Sequence, residues 1–408
     1  MFGADESLRH WKMQKFEKRW EKDFSEMKVV KAEWLITRRC DLRCSYCGIR
    51  DRRTLMDSEL PLSALEEIIE MFGELWPGAP MVVYGGEPTA RPDLPDILSK
   101  GRECGVKLPV ISNSHRVWRD VKYAAELVGA GLDNWSVSFD SLVRDQCVDD
   151  HSHRKSIAGF SSLIMFRDAF GLRDLVACVT VTRRNIEALP SILSTFTELG
   201  VHSIFTPLHI GGPAYQYARG NPTDLPTQAQ VDRISEVMYN LVSSGRYLCS
   251  NDAGWFKVWP AHFLRQDWKC HDKGLVTIDA DGSLKYCVDI PFRDEDRMYV
   301  WELQTEAGRQ KFLDIIQKEP PCHGCLWNPA YESIKRVRDP EIGVGEGRHR
   351  ARHYVDSDRL SLLHGGAGRY FVGNPDLNRV DPVISPEEIV SFLRLSMDVL
   401  TGGVACRE

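Results

Sequence analysis

Three cysteines fall within eight positions of the stretch TRRCDLRCSYCGIRD (37–51): Cys40, Cys44 and Cys47, spaced C-x3-C-x2-C. Thiolates select soft metals, and a [4Fe–4S] cluster normally takes four of them. Three thiols, with the next cysteine as far away as Cys104, would hold three irons and leave one open to a further ligand. A structural zinc site is the alternative, although such sites usually close with paired C-x2-C units. A second set lies downstream at Cys270, Cys287, Cys322 and Cys325, spaced C-x16-C-x34-C-x2-C. Four thiolates can enclose a metal completely, either as a closed cluster or as zinc.

Hydrophobic periodicity predicts the elements that must carry these loops. AEWLIT (32–37) reads as a strand running straight into Cys40, and Leu65, Ile68, Ile69 and Phe72 mark a helix ended by Pro77-Gly78. The alternation continues with strand 80–84, a helix near 94–104, strand 106–112, helix 119–130, strand 134–139, a helix near 156–170, strand 174–182, a helix stopped by Gly200, and strand 203–208. Six strands, each followed by a helix, predict an α/β fold built as a partial (β/α)6 TIM-like barrel. In such barrels chemistry sits at the C-terminal ends of the strands, where Cys40 falls. After a helix over 227–243 the alternation stops, and Asp281-Gly282 within LVTIDADGSLKYC signals a hairpin. The expected organisation is a helical extension over 1–30, with an amphipathic helix at 8–24, and then the barrel over 31–245. A small cysteine-rich domain follows over 246–335, and the C-terminal extension over 336–408 has a linker or lid at 338–385 and a helix starting at Ser385.

Hydrophobic residues make up 43% and charged ones 27% of the 408 residues, enough apolar content for a sizeable core. A net charge of −6 argues against nucleic acid or an anionic membrane as the main partner. The charged N-terminus is unlike a secretory signal, and no apolar run reaches bilayer length, so a cytoplasmic protein is expected. Twelve cysteines in that setting point to metal binding more than to disulfides.

The loop TRRCDLRCSYCGIRD resembles the signature of the radical S-adenosylmethionine (radical SAM) superfamily, with the aromatic Tyr46 just before the last cysteine. The resemblance implies that the open iron chelates SAM. One electron then splits its sulfonium, and the resulting 5′-deoxyadenosyl radical removes a hydrogen atom from a C–H bond. VVYGGEP (82–88) resembles the family's second motif, so Gly85, Gly86, Glu87 and Pro88 are expected beside the SAM amino group. ISNS (111–114) and SVSFDS (136–141) resemble two further elements more weakly, which makes Asn113, Ser138 and Asp140 candidates for the SAM ribose or carboxylate. Polar residues capping strand ends are the plainer reading of each. The downstream set resembles the twitch domain of some members, which implies an auxiliary [4Fe–4S] cluster at Cys270, Cys287, Cys322 and Cys325, with a structural zinc as the alternative.

Among the other cysteines, Cys178 reads as core; the resemblance makes Cys147 and Cys249 candidate hydrogen-atom donors to a substrate radical, with a bystander role the plainer reading of each. His209, leaving the sixth strand, is the candidate proton acceptor by location, with a hydrogen-bonded structural histidine as the equal alternative. His151 and His153, in DDHSHRK, read as a solvated loop. The resemblance implies a reductant such as flavodoxin or ferredoxin. The expected substrate is a small hydroxylated molecule of sugar or aminocyclitol type, with peptide modification and a non-catalytic zinc-stabilised binding protein as alternatives.

Overall fold

The computed structural model describes residues 29–49, 59–212, 214–265 and 274–318. The expected helices at 8–24 and from Ser385, the linker or lid at 338–385, and Cys270, Cys322 and Cys325 lie outside the described residues. One eight-stranded sheet organises the rest, in the order β6-β5-β4-β3-β2-β1-β7-β8. Its strands are β1 (Lys31–Thr37), β2 (Met81–Gly85), β3 (Val110–Ser112), β4 (Asn134–Phe139), β5 (Asp174–Val181), β6 (His202–Pro207), β7 (Leu275–Ile278) and β8 (Leu284–Lys285). All neighbours pair in parallel except β7 with β8. This is a partial barrel, with α1 (Leu62–Leu75), α2 (Leu94–Glu103), α3 (His115–Arg119), α4 (Val121–Ala130), α5 (Asp150–Asp168) and α6 (Leu189–Glu198) in its crossovers. The helices α7 (Gln228–Ser243), α8 (Ala253–His262) and α9 (Glu306–Gln317) complete the described set.

Strand alternation divides the sheet into two faces. Trp34, Val83, Val137, Ala177, Val179 and Phe205 join the core beneath the helices. The alternate positions Ser138, Cys178, Thr180 and Thr206 stay half-buried on the concave side. Ser138 pairs with Cys178, and Thr180 with Thr206. Cys178 is therefore a wall residue of the barrel rather than part of the helix-packed core.

Several elements differ from their sequence-based bounds for local reasons. The strand expected over 106–112 shrinks to Val110–Ser112, because Pro109 has no N–H to donate; its carbonyl still accepts from Val83 N at 2.7 Å. The helix expected over 119–130 is two helices parted at Asp120, whose side chain accepts from Tyr123 N and starts α4. DDHSHRK is not a loop: Asp149 and Ser152 form a capping box that starts α5 six residues before the expected 156, burying His153 and Lys155. Beyond 245 the sequence showed only the hairpin, yet Asp252 caps α8, whose Trp255, Phe256 and Trp259 are fully buried. Trp255 Nε1 donates to Phe205 O at 3.2 Å, and Asn251 Oδ1 accepts from Phe205 N at 2.7 Å, so the outer edge of β6 is covered. The hairpin continues the main sheet, with Lys31, Ala32, Glu33 and Trp34 of β1 in register with Leu275, Val276, Thr277 and Ile278.

A buried ionic network fixes the hairpin to the base of the cysteine loop. Arg38 Nη2 donates to Asp279 Oδ1 at 2.7 Å, and Lys285 Nζ lies 3.3 Å from Asp279 Oδ2. The Tyr217 hydroxyl lies 3.1 Å from Asp279 Oδ2 and accepts from Arg38 Nε at 3.3 Å. Burial alone would raise the Asp279 carboxyl, but Lys285 and Arg38 outweigh it and hold it below the ordinary carboxylate value. Its contribution to stability is full above about pH 4, the unfolded value, and is lost as the pH falls through the folded one. In urea unfolding at pH 7, Arg38→Met is expected to cost about 3–5 kcal/mol, the usual loss when one partner of a buried pair is removed. Asp279→Asn should cost more, because it strands two buried cations. Losses under about 1 kcal/mol for both would refute this account of the network.

Candidate active site

The cysteine loop leaves β1 and folds back against the segment that follows β6. Cys47 N donates to Cys44 O at 3.0 Å, Gly48 N to Tyr217 O at 2.6 Å, and Arg219 N to Tyr46 O at 3.0 Å, while Cys47 bridges Ala218. Cys40, Cys44 and Cys47 are half-buried and take part in no disulfide. Burial, with Glu87 nearby, pushes the Cys40 thiol far up, and burial pushes Cys44 up to about 12 despite Lys155. Without a metal Cys40 and Cys44 are therefore protonated at neutral pH, and a metal that takes them must displace protons. Among the described residues, no three His, Cys, Asp or Glu side chains are arranged to hold a single metal ion. Thiols serving a four-iron cube each bind a different iron, so such convergence is not what a cluster needs. The donor set of three thiols on one loop fits that group.

Gly85 and Gly86 set the position of this loop. A Cβ on Gly85 would lie 2.4 Å from Thr37 O, and one on Gly86 would lie 2.2 Å from Arg39 O. The glycines thus bring β2 against the chain's own backbone at the root of the cysteine loop. Gly86 N donates to Thr37 O and Glu87 N to Arg39 O, both at 2.7 Å. The Glu87 carboxylate is buried and accepts from Thr89 N (3.1 Å), Thr89 Oγ1 (2.8 Å), Ser112 Oγ (2.7 Å) and Asn113 N (2.6 Å). Burial raises its carboxyl above the ordinary value even though these donors oppose the shift. Pro88 starts the short turn that Glu87 caps. Asn113 reaches back to the loop, with Nδ2 2.8 Å from Asp41 Oδ1 and 3.9 Å from Cys40 Sγ. Asp41 also meets His115 Nδ1 at 3.1 Å.

On the other side of the loop the Tyr46 hydroxyl donates to Asp140 Oδ2 at 3.1 Å and accepts from Lys155 Nζ. Lys155 pairs with Asp140 at 3.1 Å, and both are buried. Burial works against the Lys155 ammonium, yet Asp140 and Tyr46 keep its pKa well above the ordinary value, so it is charged. Burial and Asp140 push the Tyr46 hydroxyl well above its own. Sequence reasoning missed Lys155; the sole signal was the Asp149–Ser152 cap, which fixes the phase of α5. It also missed Asp41, His115 and Asp149, whose Oδ2 accepts from Ser45 N at 2.6 Å.

The remaining candidates separate. Ser138 stands on the concave wall beside Cys178. Cys147 is buried, with Sγ donating to Ser141 O at 3.3 Å, in the neighbourhood of Asp140 and Lys155. Cys249 bridges Ser203 near the start of β6, at the end of the sheet opposite the cysteine loop. His209 follows β6, and its Nδ1 lies 3.7 Å from Asp289 Oδ2, too far for a hydrogen bond. Among the described residues its Nε2 is buried without a partner. The other oxygen of Asp289 accepts from Tyr217 N and Ala218 N at 2.9 and 2.7 Å, so His209 is tied to the segment that clamps the cysteine loop. Cys287, half-buried, follows the hairpin two residues before Asp289.

Residues 34–162 match the model of the Radical SAM superfamily. The chain carries a radical SAM domain. The matched stretch runs from Trp34, inside β1, through most of α5, and so includes the cysteine loop, the Gly-Gly-Glu-Pro turn, Asp140 and Lys155. The chain is 27% identical to the Fe-coproporphyrin III synthase of Methanosarcina barkeri over 43% of each chain, so the match spans under half of that protein. It is 24% identical to a probable GTP 3′,8-cyclase of Sulfolobus acidocaldarius, over 70% of this chain and 91% of the relative. It is 27% identical to the PqqA peptide cyclase of Bradyrhizobium diazoefficiens, over 71% and 77%. SuiB of Streptococcus suis is similar in fold, with a TM-score of 0.51 at 14% identity over 73% of this chain and 67% of SuiB.

Two substitutions test the link between the glycine turn and the radical SAM cysteine loop. Gly86→Ala must displace the loop, so iron bound per chain after anaerobic reconstitution is expected to fall by more than half at an unchanged far-UV spectrum. Glu87→Gln turns one acceptor into a donor facing donors and is expected to cost about 1–3 kcal/mol in chemical unfolding. Full iron content in the first and unchanged stability in the second would sink this reading.

Proposed function

We propose that this protein is a radical SAM enzyme in which Cys40, Cys44 and Cys47 hold a [4Fe–4S] cluster whose open iron takes SAM. The observation that carries the reading is the set of three cysteines, none in a disulfide, on the loop leaving β1, clamped by the Gly85-Gly86-Glu87 turn inside the matched domain. With one electron supplied, cluster and SAM would provide a carbon radical that removes a hydrogen atom from substrate. The residues of the chain have separate tasks. Tyr46, Asp140 and Lys155 hold the far end of the loop, and the Lys155 charge suits a carboxylate. Asn113 and Ser138 offer polar contacts at the ends of β3 and β4. His209, beside Asp289 and with Nε2 unpartnered among the described residues, would in this reading take a proton. In this reading Cys287 joins Cys270, Cys322 and Cys325 around a second [4Fe–4S] cluster that passes electrons, with the net reaction an oxidation.

A small polar substrate is the first choice. The half-buried concave wall of Ser138, Cys178, Thr180 and Thr206 suits hydrogen-bonding groups, and the GTP-cyclase relative is matched over 91% of its length. The narrower sugar or aminocyclitol expectation draws no support from the relatives described above. A peptide substrate is the second reading, favoured by the likeness to a peptide cyclase over 71% of the chain.

Iron and sulfide analysis of the anaerobically reconstituted protein tests the proposal. Wild type is expected to hold about eight irons and a Cys40/Cys44/Cys47→Ala variant about four. Wild type with about four, all lost in the variant, would remove the auxiliary cluster. Zinc without iron would overturn the radical reading. With SAM and dithionite, 5′-deoxyadenosine should form in the wild type and not in the variant.

A further inference from the structure

We infer that the solvent face of the cysteine loop is a docking surface for an acidic one-electron carrier protein, built on Arg43, Arg219 and Arg39. The inference rests on the proposed cluster at Cys40, Cys44 and Cys47. Arg43 is exposed between Cys40 and Cys44, and among the described residues no carboxylate pairs with it. Arg219 is also exposed and packs directly on the loop: a Cβ placed on Gly48 would lie 3.0 Å from its Cζ. Its Nη1 donates to Tyr215 O and Ala218 O at 3.2 and 2.7 Å, so backbone carbonyls orient the head group and leave its charge uncompensated. The Arg39 side chain is 47% exposed, and its partner Glu59, 3.3 Å away, is 5% exposed, so the cation faces outward and the anion inward.

The acids of the same loop region are held by hydrogen bonds within the chain. Asp41 is engaged by Asn113 and His115, and Asp149 by Ser45 N and Ser152 N. Three outward guanidinium groups around one loop stand out on a chain with net charge −6, whose overall field repels an anionic partner. Arginine also offers a planar fork matched to carboxylates, which orients a partner as well as attracting it. The step served is simple in balance: the reduced carrier loses one electron, the oxidised cluster gains it, and no proton or group transfer is required.

The test uses the full-length reconstituted protein and follows bleaching of cluster absorbance after mixing with photoreduced flavodoxin or with dithionite. With flavodoxin, Arg43→Glu is expected to slow reduction about tenfold, the lower end of electrostatic steering, and Arg43→Lys to recover much of the rate. With dithionite the rate in Arg43→Glu should match wild type. Reduction of wild type by flavodoxin should also slow as salt is raised. An Arg43→Glu rate equal to wild type with flavodoxin, or a wild-type rate indifferent to salt, would overturn the docking surface while leaving the cluster intact. Wild-type protein without cluster absorbance would overturn both readings.

Discussion

A single buried carboxylate determines how the candidate site is assembled. Glu87 sits where three segments meet, and its two oxygens collect donors from its own turn and from the end of β3. Its backbone N–H reaches the cysteine loop at Arg39. An ionised carboxylate removed from water is unfavourable unless its lone pairs are filled, and here four donors fill them. The order of β2, β3 and the loop at the mouth of the barrel follows from satisfying that one group. The two glycines before it allow the backbones close enough for the donors to reach.

The opposite flank of the loop depends on charge. Arg38 leaves β1 at the same point, but its guanidinium turns under the loop to Asp279 on the hairpin, where Lys285 and the Tyr217 hydroxyl complete the set. Tyr217 belongs to the segment that pairs with Cys47, so one ionic cluster fixes both the hairpin and the clamp over the thiols. Such a cluster adds less net stability than an apolar core of the same size would, but it accepts only one arrangement of its partners. Directional contacts of this kind hold three side chains on one loop in fixed positions.

Much of this was legible in the residues. Parallel strands whose one face packs under helices are strongly patterned, and all six barrel strands were visible in hydrophobic runs. The thiol spacing and the glycine turn also marked the site. Beyond the local caps at Asp120, Asp149 and Asp252, what escaped notice depended on contacts between residues far apart in the chain. Lys155 looked like part of a solvated run because its partners, Tyr46 and Asp140, lie 109 positions away and at the end of β4. The hairpin looked separate from the barrel because nothing local says that β7 pairs with β1. Cys178 looked like core because a strand in isolation does not say which of its faces meets the helices. The place of Cys249 near the start of β6 likewise depends on an edge pairing that periodicity does not report.

The pairing of β1 with β7 has a consequence for how the chain is made. Ribosomes deliver the N-terminal part first, and local β-α units can form as they emerge. The thiol loop is made well before Tyr217, Asp279 and Lys285, which close over its base and are delivered about two hundred residues later. Contacts of such long sequence separation form late. During synthesis the three thiols are therefore exposed on an unfinished sheet edge, open to oxidation or to adventitious metals. The architecture favours loading of any resident metal after translation, once the last strands are in place.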